Sequence, residues 1–449
     1  MRVSVVGLGK LGSPLAAVLA DKGLPVVGID LYEPYVTQIN DGRAPVQEPG
    51  LQECIDRSRD RLRATTSYDD AILNSDISFV IVPTPSQPNG FFTNKFVLAA
   101  MEGIGAALRK KSDYHVVVVT STVMPGSTGG EIREALERHS GRRVGDSLGL
   151  CYSPEFIALG SVVKNLLYPD FALIGESDRR AGDMLESVYR RMCEKEVSVS
   201  RMNFVCAEIT KIAVNTFVTT KITYANMVAE LCDRLPEADV DVVTGAIGLD
   251  QRIGSKYLSA ALGYGGPCFP RDNKAYAALA RSLGASADIA EATDRINNRQ
   301  VGRVVDVVRR HVPANGTVAV LGLSYKPNTN VVDESQGVMI AQALAELGYR
   351  VLAHDPLAGA NATVALGAAA TILDSAQACV DAADIVAITT PWPEFCALSF
   401  PTRSDGRIPV IDCWRLLDRE RIAPTVELVH LGAGASSSGM HEEAGLQDA

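Results

Sequence analysis

Short continuous apolar runs, rich in valine and isoleucine, recur along the first part of the chain and predict buried strands. Val3 to Val6 is the first, and it ends in glycines. A helical pattern follows from Ser13 to Lys22. LPVVGID then reads as a second strand closing at Asp30, and ISFVIVP and HVVVVTST as two more. Strands that alternate with helices imply a parallel, doubly wound sheet. Runs that are apolar throughout fit strands covered on both faces.

The same grammar returns after residue 315. TVAVLGLSYKP mirrors RVSVVGLGKLG, GYRVLAHDP mirrors GLPVVGIDL, and ADIVAITTPWP mirrors SDISFVIVPTP. This predicts a second, degenerate α/β domain. Between the two, Ala207 to Arg234 holds no proline or glycine and repeats apolar residues at helical spacing. That is about 28 residues, or roughly 42 Å of helix, long enough to join two domains and support a dimer contact. The divisions expected are 1–200, a central helical linker and dimerisation segment at 201–300, 301–430, and a disordered tail at 431–449.

GLGKLG, Gly7 to Gly12, follows a strand and opens a helix, the context a GxGxxG turn requires. Its glycines allow a tight turn and close approach to a pyrophosphate, and the helix start offers N–H groups and partial positive charge. Asp30 closes the next strand, where its carboxylate can accept from ribose hydroxyls and would repel a 2′-phosphate. This favours NAD over NADP. The fold class is therefore α/β, with two Rossmann-like doubly wound domains joined by a long central helix. The second copy, GLSYKP, lacks the glycine pattern and is not expected to bind a dinucleotide in that way. Pro83-Thr84-Pro85 and Ser121-Thr122-Val123 also end apolar runs, so Thr84 and Thr122 are placed to reach cofactor or substrate, or simply to turn the chain.

Composition narrows the partners. Forty-three Lys+Arg against 53 Asp+Glu give a net charge of −10, which argues against a nucleic-acid or anionic-membrane surface. Hydrophobic residues at 47% and charged residues at 21% are ordinary for a globular protein with a sizeable core. Nine cysteines without metal spacing read as reduced thiols in a cytoplasmic protein, with no metal site. The N-terminus lacks the shape of a signal peptide, and no apolar run approaches a membrane span.

Of the nine cysteines, Cys268 alone lies in a glycine-rich loop, GYGGPCFPRD, Gly263 to Asp272. Read from its surroundings alone, it is either a small buried hydrophobe or a nucleophile that glycines expose to a substrate. Lys211 and Asn215 are spaced i, i+4, so they share one helix face, either a solvated one or a site.

Together these stretches carry a resemblance. GLGKLG, VPTP, STVMPG, SPEF, KIAVNTF, QRIGSKYL, GYGGPCFPRD and YKPNT are similar to the motifs of the UDP-glucose/GDP-mannose dehydrogenase family, from residue 1 to about residue 420. The resemblance implies a nucleotide-sugar 6-dehydrogenase that oxidises UDP-glucose to UDP-glucuronate at C6, for polysaccharide biosynthesis, with two NAD used at one site. It implies Cys268 as the nucleophile that forms a thiohemiacetal and then a thioester. It implies Asp272 as a general base or water-positioning group with Thr122, Glu155 as the group for hydrolysis and acid/base work, and Lys211 as the stabiliser of oxyanion charge with Asn215 as its partner. Gly7, Gly9, Lys10, Leu11, Gly12, Asp30, Thr84, Pro85, Ser121 and Thr122 would hold NAD. Glu155, Phe156, Lys211, Asn215, Arg252, Tyr257, Tyr264, Gly265, Lys326 and Arg415 would hold the substrate. Arg252 is expected to reach across a subunit interface, in a homodimer or higher homo-oligomer.

Three positions depart from the family pattern: Leu159 where a second glutamate is usual, Pro267 in place of a serine, and Asp333 in place of an arginine. They keep open the same chemistry on a UDP-N-acetylhexosamine or another nucleotide hexose, and a non-catalytic nucleotide-sugar binder. A single-step NAD dehydrogenase that needs no cysteine is the third rival.

Overall fold

A computed structural model describes residues 1–402, 406–422 and 424–434. The chain divides into two compact units, residues 1–214 and residues from 215 onward. The helix Phe204–Cys232 is continuous through the boundary.

The first unit is an eight-stranded sheet: β1 (Val3–Val6), β2 (Val26–Ile29), β3 (Leu62–Thr65), β4 (Ile77–Val80), β5 (His115–Val119), β6 (Leu148–Tyr152), β7 (Phe171–Glu176) and β8 (Ser198–Met202). Their order is β3-β2-β1-β4-β5-β6-β7-β8. All neighbours are parallel except β6 and β7, which pair antiparallel. Strands β1, β2, β4 and β5 are buried along their whole length, as their apolar runs predict for strands covered on both faces. The helix Gly12–Asp21 is itself buried from Gly12 through Ala20, so it packs on neighbours all round.

The second unit holds β9 (Thr317–Leu321), β10 (Arg350–His354), β11 (Thr371–Ile372), β12 (Ile385–Ile388), β13 (Ile408–Asp412) and β14 (Val426–Val429) in the order β11-β10-β9-β12-β13-β14. This repeats the order of the first six strands of the first unit, and every pair is parallel. The segment ahead of it is helical, with helices Val240–Gly248, Phe269–Ser282 and Asp288–His311. Of the expected tail, residues 431–434 are described, and Gly432 donates its N–H to Asp233 at 2.6 Å and accepts from the Val240 N–H at 2.9 Å. Residues 435–449 lie outside the described residues.

The duplication extends to one carboxylate in each copy. Asp30, after β2, accepts from the N–H of Leu8 at 2.6 Å and of Tyr32 at 2.8 Å. Asp355, after β10, accepts from the N–H of Leu323 and Leu357 in the matching places, at 2.8 and 2.9 Å. Asp355 also accepts from the Ser324 N–H and hydroxyl, the Ala358 N–H and the Trp392 indole at 2.7 to 3.1 Å. Its lone pairs are thus spent inside the protein, in contrast to those of Asp30.

Asp355→Ala is expected to destabilise the second unit by roughly 3 kcal/mol or more, because it strands several buried donors at once. NAD affinity, which belongs to the first unit, should not change. Chemical denaturation beside NAD titration checks both.

Candidate active site

The turn after β1 is built for close backbone approach. Gly7 has φ +96°, and a Cβ there would meet the Ile81 carbonyl oxygen at 2.7 Å. A Cβ on Gly12 would lie 1.7 Å from the Gly7 carbonyl oxygen, so the helix can start only on glycine. Gly9 has nothing within 4 Å of its Cβ position, which leaves the centre of the turn open. Lys10 is exposed and Leu11 is partly buried against the core. Asp30 is held by two backbone donors and keeps acceptor capacity on each oxygen for a ribose diol. An open turn at a helix start with an oriented carboxylate beside it fits NAD.

Two strand-end loops are tied to each other at the same edge of the sheet. Thr84 is buried and donates its hydroxyl to the Thr122 carbonyl at 2.7 Å. Ser121 donates to the Val82 carbonyl at 2.6 Å. Pro85 is exposed and Thr122 half-buried. The second of these loops is pinned by Glu208, which sequence reasoning missed. Its carboxylate is fully buried and accepts from the Gly126 and Thr128 N–H groups at 2.6 and 2.7 Å. The available signal is an acid amid apolar neighbours in AEITKI, three residues before Lys211. Burial pushes its carboxyl up, and the Thr128 and Gly126 donors oppose that.

The loop after β6 carries Glu155. Burial pushes its carboxyl up to about 7, against the Tyr189 hydrogen bond and the Lys211 charge, which lower it. Tyr189 donates to Glu155 Oε1 at 3.0 Å. Lys211 is buried, donates to the Glu155 carbonyl at 2.7 Å, and lies 4.7 Å from the Phe156 ring centre. Phe156 in turn packs on Phe171. Leu159 turns into the apolar cluster around the first helix, so no carboxylate stands at that position. Glu48 fastens the end of the loop by accepting from Gly160 and Val162 at 2.8 and 2.7 Å.

In the second unit, Cys268 is exposed at the N-cap of Phe269–Ser282, and all nine cysteines are thiols. Asp272, one turn on, is fully buried and accepts from the Asn215 amide at 2.6 Å and from Arg271 at 3.2 Å. The glycines ahead of Cys268 serve a demand of the protein itself. A Cβ on Gly265 would meet the Glu334 carbonyl oxygen at 2.2 Å, and one on Gly266 the Tyr325 ring at 2.6 Å. The loop is thus pressed onto residues 325–335, the stretch that contains Asp333, whose carbonyl accepts from Gly266 at 3.0 Å. Tyr264 is buried, with its hydroxyl against Asp294 and Asn273.

The cations expected at the nucleotide stand apart in character. Arg252 is 87% exposed and pairs with Asp250 of its own loop at 2.6 Å. Tyr257 has φ +61° and is exposed. Lys326 is half-buried. Arg415, at φ +53°, is bound by Asp239 at 2.8 Å and Asp241 at 3.0 Å, and its Nη2 has no partner among the described residues. Among the described residues no group of three metal-ligating side chains occurs, and no helix is long and apolar enough to cross a membrane.

Three consecutive stretches match one family: its NAD binding domain over residues 1–193, its central domain over 206–299 and its UDP binding domain over 319–419. A UDP-glucose 6-dehydrogenase of Haloferax volcanii is 37% identical over 93% of this chain and 98% of its own length. A GDP-mannose 6-dehydrogenase of Pseudomonas aeruginosa is 33% identical over 79% of this chain and 81% of its own. The solved UDP-glucose dehydrogenase of Pyrobaculum islandicum superposes with a TM-score of 0.87 at 35% identity, covering 97% of this chain and 98% of that one. The open turn and Asp30 in the first unit, and these matches along the chain, lead to one conclusion: this protein belongs to the UDP-glucose/GDP-mannose dehydrogenase family, the nucleotide-sugar dehydrogenases that take NAD as cofactor.

Proposed function

We propose that this chain oxidises the C6 alcohol of UDP-glucose to the carboxylate of UDP-glucuronate, through adducts on Cys268. The observation that carries the reading is an exposed thiol at the start of a 14-residue helix, with the buried Asp272–Asn215 pair one turn behind it. N–H groups at a helix start stabilise negative charge, on a thiolate or on the oxyanion of its adduct. When bound at the Gly7–Gly12 turn, NAD supplies the hydride acceptor, once for the alcohol and once for the cysteine adduct.

The side chains divide the remaining work. Cys268 Sγ forms a bond to the C6 aldehyde carbon and keeps the intermediate from escaping. The Lys211 ammonium offsets the charge on the adduct oxygen, beside Asn215 on the next turn of the same helix. Glu155 takes the proton from the water that attacks the thioester carbon, and the carbon–sulfur bond breaks to return the thiolate. Asp272 and Thr122 orient that water. Phe156, Tyr257, Tyr264, Gly265, Lys326, Arg252 and Arg415 are assigned to the nucleotide sugar, with the guanidiniums on phosphate. The matched UDP binding domain and the Haloferax relative favour UDP-glucose. The Pseudomonas relative makes GDP-mannose the second reading. A reducing, cytoplasmic setting suits a catalytic thiol.

The working form is a homodimer on this reading. Phe217, Tyr224 and Leu231 recur every seven residues on the long helix and are 68%, 45% and 60% exposed, with Met227 beside them. A seven-residue apolar seam is what a second helix covers.

Four outcomes are expected. Cys268→Ser should lower uronate formation about a thousandfold or more, while nucleotide-sugar binding by calorimetry persists. Parental enzyme should yield two NADH per UDP-glucose in an absorbance assay; one per sugar, or full activity in Cys268→Ser, refutes the thioester route. With Glu155 as base, turnover should rise with pH through about 7, as its carboxyl ionises. Glu155→Gln should erase that limb and cost about 10²- to 10⁴-fold in rate. Finally, Phe217→Glu combined with Leu231→Glu should leave the fold intact by circular dichroism and move the mass in light scattering to that of a monomer.

A further inference from the structure

Glu155 ends a line of buried hydroxyls in the first unit. Glu155 Oε1 lies 3.0 Å from the Tyr189 hydroxyl, which lies 2.7 Å from Ser153 Oγ, which lies 2.7 Å from the Leu173 carbonyl oxygen. Tyr189 is 3% exposed and Ser153 0%, so bulk water does not supply missing partners to either. Every one of these three contacts needs a hydrogen between its oxygens. The two hydroxyls bring only two.

The third hydrogen can come only from the carboxyl. When Glu155 is protonated it donates to Tyr189, Tyr189 to Ser153, and Ser153 to the Leu173 carbonyl, and all three contacts are made. When Glu155 is ionised, Tyr189 must donate to it. Ser153 then serves either the Tyr189 oxygen or the Leu173 carbonyl, and one contact is left as two bare oxygens facing each other. A buried acceptor without its donor is costly.

We propose that Tyr189 and Ser153 are positioning residues that form a proton-counting relay, one that holds back the ionisation of Glu155 until the hydroxyl line gives up its contact to Leu173. The proposal rests on the reading of Glu155 as the acid–base group. The other titratable groups around Glu155 are Lys211 of the long helix and Cys193, which follows the helix Arg179–Met192 that carries Tyr189. Lys211 favours the carboxylate, and burial keeps Cys193 a thiol, so neither supplies the missing hydrogen.

The relay makes an unusual demand: its two members must push Glu155 in opposite directions. In Tyr189→Phe the carboxylate loses a charge-assisted bond where the neutral acid loses only an ordinary one, and the bare carboxylate is left desolvated, so the titration should move up by about one pH unit. In Ser153→Ala the Tyr189 proton is committed to Glu155 and no downstream contact remains to be lost, so the titration should move down by a similar amount. A merely structural role would loosen the loop, admit water and move both variants the same way. The readout is the infrared carbonyl band of the protonated carboxyl against pH in the full-length protein, assigned by its loss in Glu155→Gln, with the pH–rate profile recorded in parallel. Opposite shifts establish the relay. Shifts in one direction, or none, overturn it. Opposite infrared shifts with an unmoved pH–rate profile would keep the relay and remove Glu155 from the catalytic roles.

Discussion

A carboxylate taken out of water must be given donors. In this chain those donors are largely the backbone N–H groups of loops at strand ends and helix starts. Asp30 fixes the start of the glycine turn through Leu8, and Glu208 fixes the loop after β5 through Gly126 and Thr128. Glu48 fastens the far end of the Glu155 loop, and Asp272 holds Asn215. Each acid lies far in sequence from what it grips, or on another element. Glu155 is the exception that matters. Desolvation there outweighs the Tyr189 hydrogen bond and the Lys211 charge and pushes the carboxyl up to about 7, close to its ionisation point at neutral pH.

The two sheets show how one strand order serves two ends. In the first, the turn after β1 is left open at Gly9 and its carboxylate has capacity to spare. In the second, the equivalent carboxylate is saturated by six donors, one of them an indole. Duplication conserved the bond from the carboxylate to the first-strand turn, which is structural. The acceptor capacity that Asp30 keeps open is taken up in the second copy by the protein's own donors.

Much of this was legible in the chain. Valine-rich runs gave the strands because burial on both faces leaves no polar position to alternate. The three repeated elements gave the second domain, and GLGKLG with Asp30 gave the cofactor, since only glycines tolerate a Cβ-free approach of 1.7 Å. The glycines before Cys268 were legible as a tight loop but not as to purpose. Their space is taken by residues 325–335, some sixty residues away in sequence. The Cys268 loop and the YKPNT stretch were read as separate motifs, yet they are the two sides of one contact.

The sequence by itself determined the strand and helix periods, the cofactor turn and the family motifs, because these depend on local geometry and side-chain chemistry. Only the tertiary structure decided the protonation of Glu155, the grip of Glu208 and Glu48, and the saturation of Asp355. Desolvation and hydrogen-bond count depend on which distant groups share a buried volume. A one-dimensional pattern does not carry that information, and the proton that Tyr189 and Ser153 lack is counted only when all four oxygens stand in line.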